Sequence, residues 1–339
     1  MSVGGELDRL LESGDYWTCL AQGRDLLEQE SLPDAEKARV LSVLCRCHLA
    51  LGQFPGAEAS GRRAAALAGR LGMRDLEGSA LLDLAAALSG LRCHGEALDA
   101  LARFREGLPE YTASQCLEGA ALLQMGQAMA GMGRTAEAVE WCQRARHWFS
   151  RFGDERSAGE CLLEMIEACL RAAEGLADRQ PAESARWQAE AGRRLAETDR
   201  HLGAQLDDTR FTGRVLLARA RYLGLAGQHQ DAADEGFRAL MLAEDGSRFQ
   251  VEAQLFLSHI AEQMGRPVDS LNFAFAARVN AIDGRMYARE FEATSRLVRL
   301  IRLHGLEPLA ELARELANQG VDLYQYIDLA EAERLTRGE

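Results

Sequence analysis

Gly133-Arg134-Thr135-Ala136-Glu137-Ala138 opens the stretch whose reading decides the fold. Beyond it, Ala138, Trp141, Cys142, Ala145, Trp148 and Phe149 fall on the i, i+3, i+4, i+7 face of one helix. A glycine just before that helix suits the left-handed residue that ends a preceding one, where a Cβ would be strained. The small Ala138 then lets the second helix pack closely on the first. The phrase recurs at Gly14…Cys19, Gly52-Gln53-Phe54-Pro55-Gly56-Ala57, Gly227…Ala232, Gly265…Ser270 and Gly305…Ala310. Leu91-Arg92-Cys93-His94-Gly95-Glu96-Ala97 is a variant with Arg92 in the glycine place.

The anchors Cys19, Ala57, Ala97 and Ala138 lie 38, 40 and 41 residues apart, and Ala232, Ser270 and Ala310 lie 38 and 40 apart. The 94 residues between Ala138 and Ala232 hold two longer repeats with a middle anchor near Ala185. A fixed period of this size marks a repeat architecture. A second set of glycines, Gly72, Gly153, Gly246 and Gly284, closes the second helices. Strand-like alternation is absent. The expectation is an all-α, α-α superhelix of about eight helix pairs.

These features resemble the tetratricopeptide repeat (TPR) family. The resemblance rests on the Gly before the turn and on small residues at the start and middle of the second helix. Ala57 and Ala64, Ala138 and Ala145, and Ala232 and Ala239 each form that seven-residue pair. It covers nearly the whole chain and departs in a period near forty rather than 34, and in the missing Pro after the second helix. The longer repeats are similar to those of bacterial TPR transcription activators and peptide-sensing regulators. Residues 173–183, with Gly175, Asp178 and Pro181, read as a longer polar loop dividing an N-terminal block, 1–172, from a C-terminal block, 173–320. Residues 321–339 read as a capping helix and tail, with Leu323, Tyr326, Ile327, Leu329 and Ala330 as its apolar side.

Composition limits the function. The chain has 339 residues, 47% of them hydrophobic, and a formal net charge of −13. That charge argues against non-specific binding to nucleic acid or anionic membranes. No apolar run reaches the roughly 18 residues of a membrane span, and the N-terminus shows no signal-peptide pattern. A cytoplasmic protein is expected, with its 8 cysteines reduced. Cys45-Arg46-Cys47-His48 looks metal-like, but neighbours two apart on a helix point away from each other. No phosphate loop, nucleophile elbow or zinc spacing occurs. No catalytic residue, metal or cofactor is expected.

A binding surface is the stronger expectation. In a paired-helix repeat array the first helices line the concave side. Counting the anchor as the twentieth repeat position, the second, fifth, ninth and twelfth positions face the groove. They give Arg46 in the second repeat, Arg214 and Arg221 in the sixth, His259 in the seventh, and Arg299 and Arg302 in the eighth. Arginine suits bidentate recognition of carboxylate or phosphate. Those six residues are the candidate partner-binding site, for a protein or peptide with an acidic segment or a free carboxylate. Alternatively, the arginines pair with glutamates of neighbouring helices. The expected function is a non-catalytic protein- or peptide-binding scaffold. The alternatives are a peptide- or small-ligand-sensing regulator and an all-α enzyme with an anionic substrate in the groove.

Overall fold

The structure, a computed structural model, describes residues 3–29, 31–107, 114–202, 208–284, 286–319, 321 and 323. Sixteen α-helices and no strand occur among them. They are α1 (Val3–Glu12), α2 (Tyr16–Glu28), α3 (Asp34–Ala50), α4 (Phe54–Arg70), α5 (Arg74–Gly90), α6 (His94–Gly107), α7 (Ser114–Gly131) and α8 (Thr135–Arg151). Then come α9 (Glu155–Leu176), α10 (Pro181–Leu202), α11 (Thr209–Leu225), α12 (His229–Met241), α13 (Arg248–Gln263), α14 (Pro267–Asp283), α15 (Tyr287–His304) and α16 (Glu307–Asn318). Eight consecutive pairs therefore stand where the repeated phrase places them. The fold is a TPR-like helical repeat.

The turn phrase works as its residue types dictate. Gly14, Gly52, Gly133, Gly227 and Gly265 have φ between 67° and 79°, and Arg92 takes the same left-handed conformation at φ 62°. Each sits one residue past a helix cap, and the chain there closes a Schellman motif. At the Gly52 turn the Gln53 amide donates to the His48 carbonyl at 2.8 Å and the Gly52 amide to the Leu49 carbonyl at 3.0 Å. The turn at Arg92 repeats this, from Cys93 to Leu88 and from Arg92 to Ser89. Of the second set, Gly72, Gly153 and Gly246 are left-handed, but Gly284 is not. Its φ is −76°, and a Cβ there would lie 3.0 Å from the Gly246 carbonyl, so close packing rather than handedness selects glycine.

Packing follows from the small anchors. Ala57, Ala64, Ala97, Ala138, Ala145, Ala232 and Ala239 are all buried. Two anchors fall one residue earlier than the phrase suggests. In the fifth pair the buried position is Ser184, not the exposed Ala185, and its hydroxyl donates to the Ala173 carbonyl at 2.7 Å. In the eighth pair it is Leu309, not the exposed Ala310. There Gly305 itself caps the helix with ψ −165°, a different turn from the others.

The segment 173–183 is not a single loop. α9 runs on to Leu176, because Ala172 and Ala173 are strong helix formers, and Pro181 opens α10 where a missing amide costs nothing. The connection is only residues 177–180. Of the expected cap at 321–339, only Val321 and Leu323 lie among the described residues. Leu323 is buried against Leu271, Leu297, Leu300 and Leu312 of α14, α15 and α16; the remainder of that expectation lies outside them.

The chain divides into two compact units, Met1–Ala172 and Ala173–Glu339. In the first, α1 packs on α3, α3 on α5 and α5 on α7, besides the pairing of neighbours. In the second, α11 packs on α13 and α13 on α15. Helices α1, α3, α5 and α7 in the first unit, and α11, α13 and α15 in the second, therefore each form a continuous layer. Among the described residues no helix is long and apolar enough to cross a membrane.

Candidate functional site

The odd-numbered layer of the second unit carries five of the six residues singled out above. Arg214 and Arg221 come from α11, His259 from α13, and Arg299 and Arg302 from α15. Arg46 lies on α3 of the first unit, exposed, and its charge acts on the partly buried Asp83 of α5.

Charges of successive odd helices meet on this layer. The Arg221 guanidinium donates to both carboxylate oxygens of Glu174 near the end of α9, at 2.9 and 2.6 Å. Glu252 of α13 lies within the fields of Arg289, Arg248 and Arg214, and it bonds Arg289 of α15 and Arg248 of its own helix. Burial pushes the Glu252 carboxyl up, but the three guanidiniums outweigh it and hold it below the usual range. Further along α13, Glu262 pairs with Arg296 at 2.6 Å and with Arg299 at 3.6 Å.

Arg296 is the most enclosed of these arginines. Its Nε and an Nη donate to the Ser258 hydroxyl and carbonyl, each at 3.1 Å. The anchor Ser270 of α14 donates to that same carbonyl at 2.8 Å, while the Ser258 hydroxyl donates to the Ser270 carbonyl at 2.8 Å. Thus one repeat turn, one neighbouring helix and the charged layer share two serines. Desolvation, then the Arg296 guanidinium, hold the His259 imidazole below its ordinary pKa, so the ring is neutral at neutral pH.

Arg221 and Arg299 are therefore paired with glutamates of adjacent helices, as the alternative reading of the groove arginines expects. Arg302 and Arg46 have no ion-pair partner among the described residues. Arg302 and Arg299 lie on one open face of α15 together with Phe291, Ser295 and Val298. Phe291 is 76% exposed, an unusual position for a large apolar side chain. Positional counting missed the glutamate partners and Arg289 and Arg296. A visible signal existed, since Arg289 and Arg296 are seven residues apart and so share one stripe of α15.

The seven cysteines whose side chains are described are free thiols. Burial pushes Cys45 and Cys161 up to about 12, which leaves them unreactive. No cluster of metal-ligating side chains occurs among the described residues.

No protein-family model matches this sequence, and no curated protein matches it. Solved structures do share its fold. A Rap protein complexed with competence and sporulation factor superposes with a TM-score of 0.61 at 13% identity, covering 99% of this chain and 94% of that one. NprR in complex with its cognate peptide NprX gives 0.57 at 13% identity, over 99% and 98%. The apo quorum sensor NprR from B. thuringiensis gives 0.56 at 12% identity, over 99% and 89%.

Proposed function

We infer that this chain is a peptide-binding TPR-like regulator that works in the cytoplasm and carries out no chemistry of its own. The observation that carries the reading is the continuous charged layer of α11, α13 and α15. Successive repeats contribute to it jointly, and the fold is shared with an NprR–peptide complex. A short peptide with a carboxylate, on a side chain or at its end, lies along that layer. Arg302 and Arg299 take the carboxylate, since the first is unpaired among the described residues and the second is held by only one long contact. Phe291 and Val298 receive an apolar side chain beside it. Arg221, anchored by Glu174, Arg214, whose charge acts on Glu252, and the neutral His259 face the peptide backbone. Arg46 offers a separate cation to a partner in the first unit.

Ion pairs at an exposed surface contribute only about 0–1 kcal/mol each. Peptide release is then a matter of losing two or three of them at once, which suits a reversible sensor better than a permanent scaffold. The test is selection of random heptapeptides displayed on phage against the parent chain, followed by titration of recovered peptides against Arg299→Gln/Arg302→Gln. Peptides bearing a carboxylate, weakened about tenfold in the double variant and weakened by salt, are expected. Recovered peptides that bind both proteins equally and are indifferent to salt overturn the assignment.

A further inference from the structure

A second cavity lies on the first unit and is made by different elements. A cavity of about 600 Å³ opens between α6, α7 and α8. That volume is within the range of small-molecule sites. Its floor is apolar, built from the buried Phe104, Ala121 and Met125. Its wall is Trp141 and Trp148. Two of the chain's 4 tryptophans thus stand at one cavity.

The wall is set by glycine. A Cβ on Gly119 of α7 would lie 2.7 Å from the Phe149 ring and 2.9 Å from the Trp148 indole. Only a bare backbone lets those rings seat against α7. Two cations lie over Trp141, the Arg144 guanidinium 4.7 Å and the Arg105 guanidinium 6.0 Å from its ring centre.

The polar rim is sorted by charge. Arg144 is neutralised by Glu140 one turn earlier on α8. Arg105 of α6 is exposed and has no carboxylate partner among the described residues. Glu118 of α7, the only acid of the lining among the described residues, also has no cation partner there. An apolar chamber whose rim carries Arg105 and Glu118, each without an ion-pair partner among the described residues, beside Gln143 and His147, matches a ligand that bears both a carboxylate and an ammonium next to an apolar ring.

We propose that this cavity binds a small aromatic zwitterion of the amino-acid type. Arg105 receives the carboxylate bidentately, Glu118 receives the ammonium, and the ring lies on the apolar floor beside Trp141. The site is built from α6, α7 and α8 and shares no residue with the charged layer of the second unit.

The experiment uses isothermal titration calorimetry on the full chain with three probes. These are 3-(2-naphthyl)-L-alanine, 3-(2-naphthyl)propionate, which lacks the ammonium, and 2-(2-naphthyl)ethylamine, which lacks the carboxylate. The expected result is one site for the zwitterion, with each truncated probe about tenfold weaker, the order that one charge-assisted contact supplies. Two rim variants then read the polarity. Arg105→Gln should abolish the advantage of the zwitterion over the amine. Glu118→Gln should abolish its advantage over the propionate. Unchanged helicity by circular dichroism shows that both variants are folded. The proposal is overturned by absence of saturable binding at millimolar zwitterion. It is also overturned if the propionate binds as tightly as the zwitterion and ignores Glu118→Gln, which would make the cavity a plain anion site.

Discussion

Single residues decide the turns. Gly133 adopts φ 75° in an otherwise open environment, with nothing within 4 Å of where its Cβ would stand. The cost of replacing it is therefore conformational alone. Gly133→Ala should destabilise the chain by about 1 kcal/mol, read by urea unfolding, because a Cβ in the left-handed region is strained. Arg92 is the converse case, a side chain in the left-handed place that Gly14, Gly52, Gly133, Gly227 and Gly265 fill in the matching turns. Arg92→Gly should leave stability equal or raise it by up to about 1 kcal/mol. Asp83 gives a pH signature. Burial, opposed by Arg46, raises its carboxyl to about 6, against about 3.9 in the unfolded chain. The folded state therefore holds the proton more tightly. Asp83's contribution to stability is present in full below about pH 4 and is lost as pH rises through about 6. Asp83→Asn should be more stable than the parent at pH 8, by about 1–3 kcal/mol, and equal to it near pH 4. A constant difference across that range would contradict the assignment.

Helices are joined by two kinds of contact of unequal weight. The Arg221–Glu174 pair is partly exposed, so Glu174→Gln should cost at most about 1 kcal/mol. The Arg296–Glu262 pair is enclosed, with both side chains under 15% exposed, and Glu262→Gln leaves a guanidinium without its counter-charge. A loss of about 2–3 kcal/mol is expected, measured by the same urea titration. At this scale the sequence was informative about pairing and silent about partners. The Gly…Ala phrase carries the turn because handedness and small size are properties of the residues themselves. It placed six anchors correctly and slipped by one at Ser184 and Leu309. In the fifth pair serine stands in for alanine, its hydroxyl answered by a carbonyl of α9. In the eighth the cap geometry changes at Gly305. The 173–183 segment reads as a loop because Gly175 and Pro181 punctuate it, yet glycine is tolerated within α9 and proline merely opens α10. Glutamate partners such as Glu174 lie a whole repeat away in the chain, and no local spacing brings them to Arg221.

Over the whole molecule, repetition supplies stability and surface together. Each pair buries its apolar face only against neighbours, so the layers of α1, α3, α5 and α7 and of α11, α13 and α15 are by-products of packing. In the second unit that layer gathers arginines on a chain with a net charge of −13, with glutamates taking up most of them and Arg302 left over among the described residues. The charged layer is the proposed peptide surface, and the aromatic cavity of α6, α7 and α8 is a second site of different chemistry. Amide hydrogen exchange, followed by mass spectrometry with and without a selected carboxylate peptide, tests the central claim most directly. The account predicts slowed exchange in α11, α13 and α15, lost in Arg299→Gln/Arg302→Gln. Protection confined to the even-numbered helices, or undiminished in the double variant, would contradict it.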